Sequence, residues 1–178
     1  HKLDSNGAWG VAVDQAHNIV CVSLRNGGYL ECYNGAALWQ RIEGVPARPC
    51  SGWDVYELAF NPDTDKLYAA CAQNGSVKRL SVIQHDGSTW QPVGIFPVGN
   101  GGANGGGGIA VNTATDHVYF TNSVDGTVTV YDGHERLLGT LTVGADPFGA
   151  AADPLTNRIY VVLRGDNRVI VLQDKWHQ

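Results

Sequence analysis

The chain has 178 residues, 43% of them hydrophobic and 16% charged, and carries a net charge of −5. That length can build one domain with a sizeable core. The acidic balance leaves a general nucleic-acid or anionic-membrane role without electrostatic support, and no apolar run approaches the ~20 residues of a membrane helix.

No signal-peptide pattern opens the chain. It contains no methionine and begins with His1, which reads as a processed chain or a piece of a longer one. The first predicted strand centres on Ala12, between Val11 and Val13 and just after Gly10. Turn residues Asp14-Gln15 follow, then strands over 19–22, 29–33 and 38–42 with a tight turn at Asn26-Gly27. The same order then recurs. Ala59 is followed by Asn61-Pro62-Asp63, a strand over 67–70, the turn Asn74-Gly75, and strands over 77–82 and 93–98. Ala110 is followed by Asn112-Thr113, a strand over 118–121, the turn Asp125-Gly126, and strands over 127–131 and 137–143. Ala151 is followed by Asp153-Pro154, a strand over 159–162, the turn Gly165-Asp166-Asn167 and a strand over 168–172.

Asp, Asn and Pro make turns by bonding to nearby backbone or by pre-setting φ. β-Branched and aromatic residues favour the strands between them. Asn-Gly and Asp-Gly suit a two-residue hairpin, in which both central residues take positive φ. Each unit is therefore expected to be a four-stranded antiparallel meander. The units start near residues 10, 57, 108 and 149, close to the ~40–45-residue period of propeller blades. The fold class read from this pattern is an all-β propeller with about four blades, approximately 7–52, 53–103, 104–144 and 145–178, in one domain over 1–178. The repeated alanine fits strands that converge near a propeller axis, where a small residue lets neighbouring sheets approach.

Tyr119-Phe120-Thr121-Asn122 resembles the Tyr-Val-Thr-Asn signature of YVTN-type β-propeller repeats. The stretch from Thr142 to Gly149 is similar to the linker joining such blades. Ala8-Trp9-Gly10-Val11-Ala12-Val13-Asp14 is similar to NHL-type repeats. The resemblance covers nearly the whole chain and is weakest in the second unit, with Glu57 in place of glycine and Cys71 in place of Asn122. The fourth unit stops after its third strand, and the residues from His1 to Asp4 align with the end of a fourth strand. The ring is expected to be incomplete or completed by another chain or a missing segment. A fragment of a larger propeller, two copies forming one ring, and a closed four-bladed ring all remain open. An open ring would expose apolar blade faces, which drive association.

The turn at Asn26-Gly27 sets Cys21 opposite Cys32, within disulfide range. Cys71, at the end of a second strand, abuts the segment just after Cys50. The expected pairs are Cys21–Cys32 and Cys50–Cys71, with four buried free thiols as the other reading. Disulfides imply an extracytoplasmic location: secreted, periplasmic or cell-surface.

Trp9, Tyr56 and Phe148 each precede the unit-start position, and Glu57 stands beside them. These four are ligand-binding candidates at a channel mouth, with ordinary packing of inter-blade linkers as the competing reading. Arg25 and Arg164 sit in turns as solvated residues or basic contact points. The glycine-rich 100–108 lacks the Lys-Ser/Thr and the helix start of a phosphate loop. No histidine or cysteine spacing suggests a metal site, and no catalytic residue or cofactor is identified.

Propellers of this resemblance often serve as extracytoplasmic scaffolds. The expected function is therefore a non-catalytic scaffold that binds protein or ligand, with a protein partner, further blades or a second copy as partners. Nucleic acid and membrane insertion are not expected. The alternative is a propeller enzyme, or a subunit of one, of lactonase, lyase or dehydrogenase-subunit type, its site completed by other blades or chains. Among the unit starts Gly10, Glu57, Gly108 and Gly149, only Glu57 offers chemistry.

Overall fold

A computed structural model describes residues 7–36, 40–73, 76–101 and 107–176. The turn at Asn74-Gly75, the start of the first unit's fourth strand, most of the glycine-rich stretch and the residues from His1 to Asp4 lie outside these. The chain forms two compact units. Unit 1 spans His1–Gln73 and Arg79–Phe96, and unit 2 spans Asn74–Lys78 and Pro97–Gln178.

Unit 1 carries two sheets. The first is β1 (Ala8–Asp14), β2 (Ile19–Leu24), β3 (Tyr29–Asn34) and the two-residue β4 (Gln40–Arg41). The second is β5 (Asp54–Asn61), β6 (Lys66–Gln73), β7 (Ser76–His85) and β8 (Trp90–Pro97), apart from the first residues of β7 and the last of β8, which fall in unit 2. Unit 2 carries β9 (Ile109–Asn112), β10 (His117–Asn122), β11 (Thr127–Tyr131) and β12 (Leu137–Thr142). Its second sheet is β13 (Pro147–Asp153), β14 (Arg158–Leu163) and β15 (Arg168–Gln173). Strands follow chain order in every sheet. The fold is all-β, four antiparallel meanders in the manner of propeller blades, the last three-stranded as its sequence indicates.

Each hairpin from the first to the second strand is built alike. The residue ending the first strand caps the turn, its side-chain oxygen accepting from the amide two residues on: Asp14 from Ala16, Asn61 from Asp63, Asn112 from Ala114 and Asp153 from Leu155. The residue entering the turn's last position is left-handed in all four: Asn18, Asp65, Asp116 and Asn157, at φ of 53°, 53°, 57° and 52°. Asn and Asp tolerate that conformation best among residues with a Cβ.

The next hairpin corrects an expectation. The pairs Leu24↔Tyr29, Asn122↔Thr127 and Leu163↔Arg168 close loops of four residues, not two. Only the last loop residue is left-handed in all three: Gly28, Gly126 and Asn167. Gly28 and Gly126 also meet backbone closely, at the Trp53 and Gly144 carbonyls, where a Cβ would clash.

Within unit 1, β1 packs against β5, and within unit 2, β9 packs against β13. The glycine opening the first strand permits this approach. A Cβ on Gly10 would lie 2.5 Å from the Tyr56 carbonyl oxygen, and one on Gly108 would lie 2.6 Å from that of Phe148. A hydroxyl locks each contact. The Gly10 amide donates to Ser23 Oγ at 2.8 Å, and Ser23 donates to the Tyr56 carbonyl. The Gly108 amide donates to Thr121 Oγ1 at 2.7 Å, and Thr121 donates to the Phe148 carbonyl at 2.8 Å. Thr121 of the Tyr-Phe-Thr-Asn stretch thus joins two sheets. Asn122 is buried and donates to Thr127 and Thr129 across the hairpin.

The alanine expectation holds in part. Ala12 and Ala110 are buried, Ala59 is half-buried and Ala151 is exposed. The close approach rests on the glycines more than on the alanines.

The core of unit 1 gathers Ala12, Ile19, Leu30, Val55, Leu67 and Ile83 around two disulfides. Cys21–Cys32 joins Cα atoms 4.0 Å apart, and Cys50–Cys71 joins Cα atoms 5.4 Å apart. Unit 2 packs Tyr119, Val128, Val130, Ile159, Val161 and Leu163 without one. Among the described residues no helix is long and apolar enough to cross a membrane.

Candidate functional site

Three of the four sequence candidates meet in unit 1. The Trp9 and Tyr56 rings stand edge to face with centroids 5.2 Å apart. The Arg25 guanidinium, carried on the loop after β2, lies 5.4 Å from the Trp9 ring centre and 5.2 Å from that of Tyr56. Such contacts hold a cation over the negative face of an aromatic ring. Burial lifts the Tyr56 phenol above its ordinary pKa, against the opposing pull of Arg25.

Glu57 is half-buried on β5, next to Tyr56. Burial raises its carboxyl above the ordinary value, and a hydrogen bond from the Trp9 indole partly offsets this. A half-buried carboxyl that accepts from the Trp9 indole, in a cluster whose Trp9 and Tyr56 rings also carry the Arg25 guanidinium, can bind a polar ligand or exchange a proton.

Sterics explain why a side chain is allowed at this position. Gly10 and Gly108 open the first sheet of each unit, where a Cβ would strike the neighbouring strand. Gly149 opens the second sheet of unit 2, and a Cβ there meets nothing within 4 Å. Glu57 occupies the matching place in unit 1. A Cβ is excluded at Gly10 and Gly108 but not at Gly149, and Glu57 stands where Gly149 does.

Phe148, the fourth candidate, belongs to unit 2. It has its own arginine, with the Arg164 guanidinium 4.5 Å from its ring centre. Arg164 is also bonded by Nε to Asp146 Oδ2 at 2.6 Å. In unit 1 the residue matching Asp146 is Gly7. The parallel is marked by the amides of Arg25 and Arg164, which donate to the Gly7 and Asp146 carbonyls at 2.8 and 2.9 Å. The same stack is charge-neutralised in unit 2, whereas none of the ion pairs formed by the described residues in unit 1 involves Arg25. Sequence reasoning left Arg25 as a solvated turn residue or a basic contact point. The signal it missed is the equal spacing of Arg25 from Gly10 and of Arg164 from Gly149.

A second polar cluster in unit 1 escaped the sequence reading, because His85 is far along the chain from Asp14 and His17. Asp14, His17 and His85 each offer a ligand atom within 4.8 Å of the other two.

No family model and no curated protein matches the sequence. Solved structures do match. One, from Bacteroides uniformis and provisionally named a 6-phosphogluconolactonase, superposes with a TM-score of 0.74 at 12% identity. The match covers 94% of this chain and 50% of that one, so the chain spans about half the length of its match. At that identity the likeness shows the fold alone. It corrects one expectation: the non-catalytic scaffold loses its place as the main reading, because the shared fold is that of a protein named as an enzyme and favours the enzyme alternative.

Proposed function

We propose that this chain is part of a β-propeller enzyme of the lactonase type, with its site completed by other blades or another chain. The observation that carries this reading is the half-buried Glu57, its pKa raised by burial, bonded to Trp9, whose ring with that of Tyr56 carries Arg25. The name of the structural match supports the reaction class.

Opening a lactone needs water to attack the ring carbonyl and the acyl carbon–oxygen bond to break. In this reading Glu57 takes the proton from the attacking water and returns it to the departing ring oxygen. Arg25 holds the negative charge of the substrate or of the tetrahedral intermediate, and the aromatic pair excludes water around it.

Completion by further blades is supported by exposed apolar strand faces. Val11 and Val13 of β1 are 61% and 51% exposed, and Val169 and Val171 of β15 are 58% and 53% exposed. Interior strands such as β10 are buried on both faces. The two disulfides support an extracytoplasmic setting. The finer family reading remains a YVTN-type repeat with NHL-like features, supported by Thr121 and Asn122 in the roles described above.

The test is hydrolysis of a panel of aldonolactones and simple esters by the full-length protein. Glu57→Gln is expected to lower kcat/KM about 100-fold or more, and Arg25→Ala to act mainly on KM for anionic substrates. The same Glu57→Gln change removes a carboxyl whose raised pKa costs stability as pH rises through it. The variant is therefore expected to melt higher than the parent near neutral pH and alike at acid pH. Hydrolysis unchanged in Glu57→Gln defeats the assignment.

A further inference from the structure

The cap of the first hairpin in unit 1 meets the end of β7. Asp14 is 1% exposed and His85 is 6% exposed. The Nδ1 atom of His85 is buried with no hydrogen-bond partner. Its ring stacks on Trp90, with centroids 4.6 Å apart and planes at 24°, which fixes its orientation. His17 Nδ1 bonds Asp14 Oδ2 at 2.6 Å and lies 3.6 Å from the Asp65 carboxylate. The His17 side chain is 37% exposed, so one side of the cluster opens to solvent.

The matching place in unit 2 shows what ordinary packing does there. The His85 amide donates to the Asp65 carbonyl at 2.8 Å, as the Asp174 amide donates to that of Asn157 at 2.9 Å, which makes His85 the counterpart of Asp174. Asp174 accepts from Asn112 Nδ2 at 2.8 Å and Thr115 Oγ1 at 2.6 Å, and it bonds His117 Nδ1 at 2.8 Å. One carboxylate there satisfies three partners. In unit 1 the corresponding residues are Asp14 for Asn112, His17 for Thr115 and Ile19 for His117. Two of the donors have become a carboxylate and an imidazole, the third an isoleucine, and the accepting carboxylate has become a second imidazole. That set leaves His85 Nδ1 without a partner, and it matches the ligand preference of a borderline metal ion.

We propose that Asp14, His17 and His85 bind one divalent first-row transition-metal ion, of which zinc fits best. Two imidazole nitrogens and one carboxylate oxygen are a common three-ligand set for zinc, leaving a fourth position for water. Contraction around the ion is taken up by His17, the exposed member, which exchanges its bond to Asp14 for one to the metal. The ion ties the β1–β2 turn to the end of β7, the task Asp174 performs in unit 2. This inference is independent of the lactonase reading, since no residue is shared with the Glu57 cluster.

The test uses tag-free, chelator-stripped full-length protein. Zinc binding is measured by competition with a chromophoric chelator, and cobalt absorption reports the geometry. Among the described residues there are no free cysteines to compete, since all four are in disulfides. One equivalent of zinc is expected to bind in the micromolar range or tighter, with a rise in Tm and no response to calcium or magnesium. His85→Ala and His17→Asn should each weaken binding about 100-fold, while the exposed His134→Ala leaves it unchanged. His17→Asn alters an exposed side chain and so keeps the test valid if His85→Ala fails to fold. Absence of stoichiometric zinc binding, or binding indifferent to His17→Asn, overturns the proposal.

Discussion

Units 1 and 2 each join two sheets with the same parts and then diverge in what surrounds the joint. Gly10 and Gly108 allow the close approach, Ser23 and Thr121 bridge it, and Gly28 and Gly126 turn the following loop. Around that frame unit 2 is internally neutralised: Asp146 pairs with Arg164, and Asp174 satisfies three neighbours. Unit 1 has Gly7 in place of Asp146, Glu57 in place of glycine, and imidazoles facing Asp14. It also carries both disulfides. The teaching is that the shared parts are those the joint requires sterically or for hydrogen-bond closure. The positions left over are where unit 1 departs, and its covalent cross-links hold the half of the chain whose polar groups are less self-satisfied.

Removing both disulfides by Cys→Ala strikes this contrast hardest. Loops of 11 and 21 residues each contribute about 3 kcal/mol in the chain-entropy account. Hydrogen exchange should show β2, β3 and β6 losing protection while β10 and β14 keep theirs. Equal loss in both units would mean that they unfold as one and would erase the distinction.

Asp174→Ala is the corresponding blow to unit 2, costing about 3 kcal/mol because buried partners lose their acceptor. Burial pushes the Asp174 carboxyl up, but bonds from Thr115, His117 and Asn112 outweigh it and hold the pKa below the ordinary value. A lowered carboxyl pKa stabilises the fold above the ordinary carboxylate range, and that contribution is lost as pH falls through the lowered value. Parent and variant should therefore differ at neutral pH and converge in strong acid, as read by denaturant titration across pH.

The smallest test concerns the frame itself. Gly10→Ala and Gly108→Ala should each cost about 2 kcal/mol by overpacking against backbone, whereas Gly149→Ala should fall within about 0.5 kcal/mol of the parent. Equal costs at all three would show that the two sheets of a unit do not play different roles.

Much of the architecture was legible because strand period and turn chemistry are local properties. The register at Cys21↔Cys32 followed from the centre of one turn, even though that loop proved to have four residues. The left-handed Asn18, Asp65, Asp116 and Asn157 were open to reading, as each is an Asx residue at the same step before the second strand. The sites were less legible. Trp9, Tyr56 and Glu57 could be nominated because the repeat set them apart. Arg25 became a partner only when the loop after β2 folded over them. Asp14 and His85 belong to different repeats, and no spacing rule links them.

The bridging hydroxyls bear on how the protein is made. Each donates forward along the chain, Ser23 to a carbonyl 33 residues later and Thr121 to one 27 residues later. At ribosomal speeds of about 5–20 residues per second, that partner is made seconds after the hydroxyl. During the wait the first sheet holds a hydroxyl destined for burial and a glycine-lined strand with nothing against it. The smallest product of translation that closes these bridging bonds is therefore a pair of sheets.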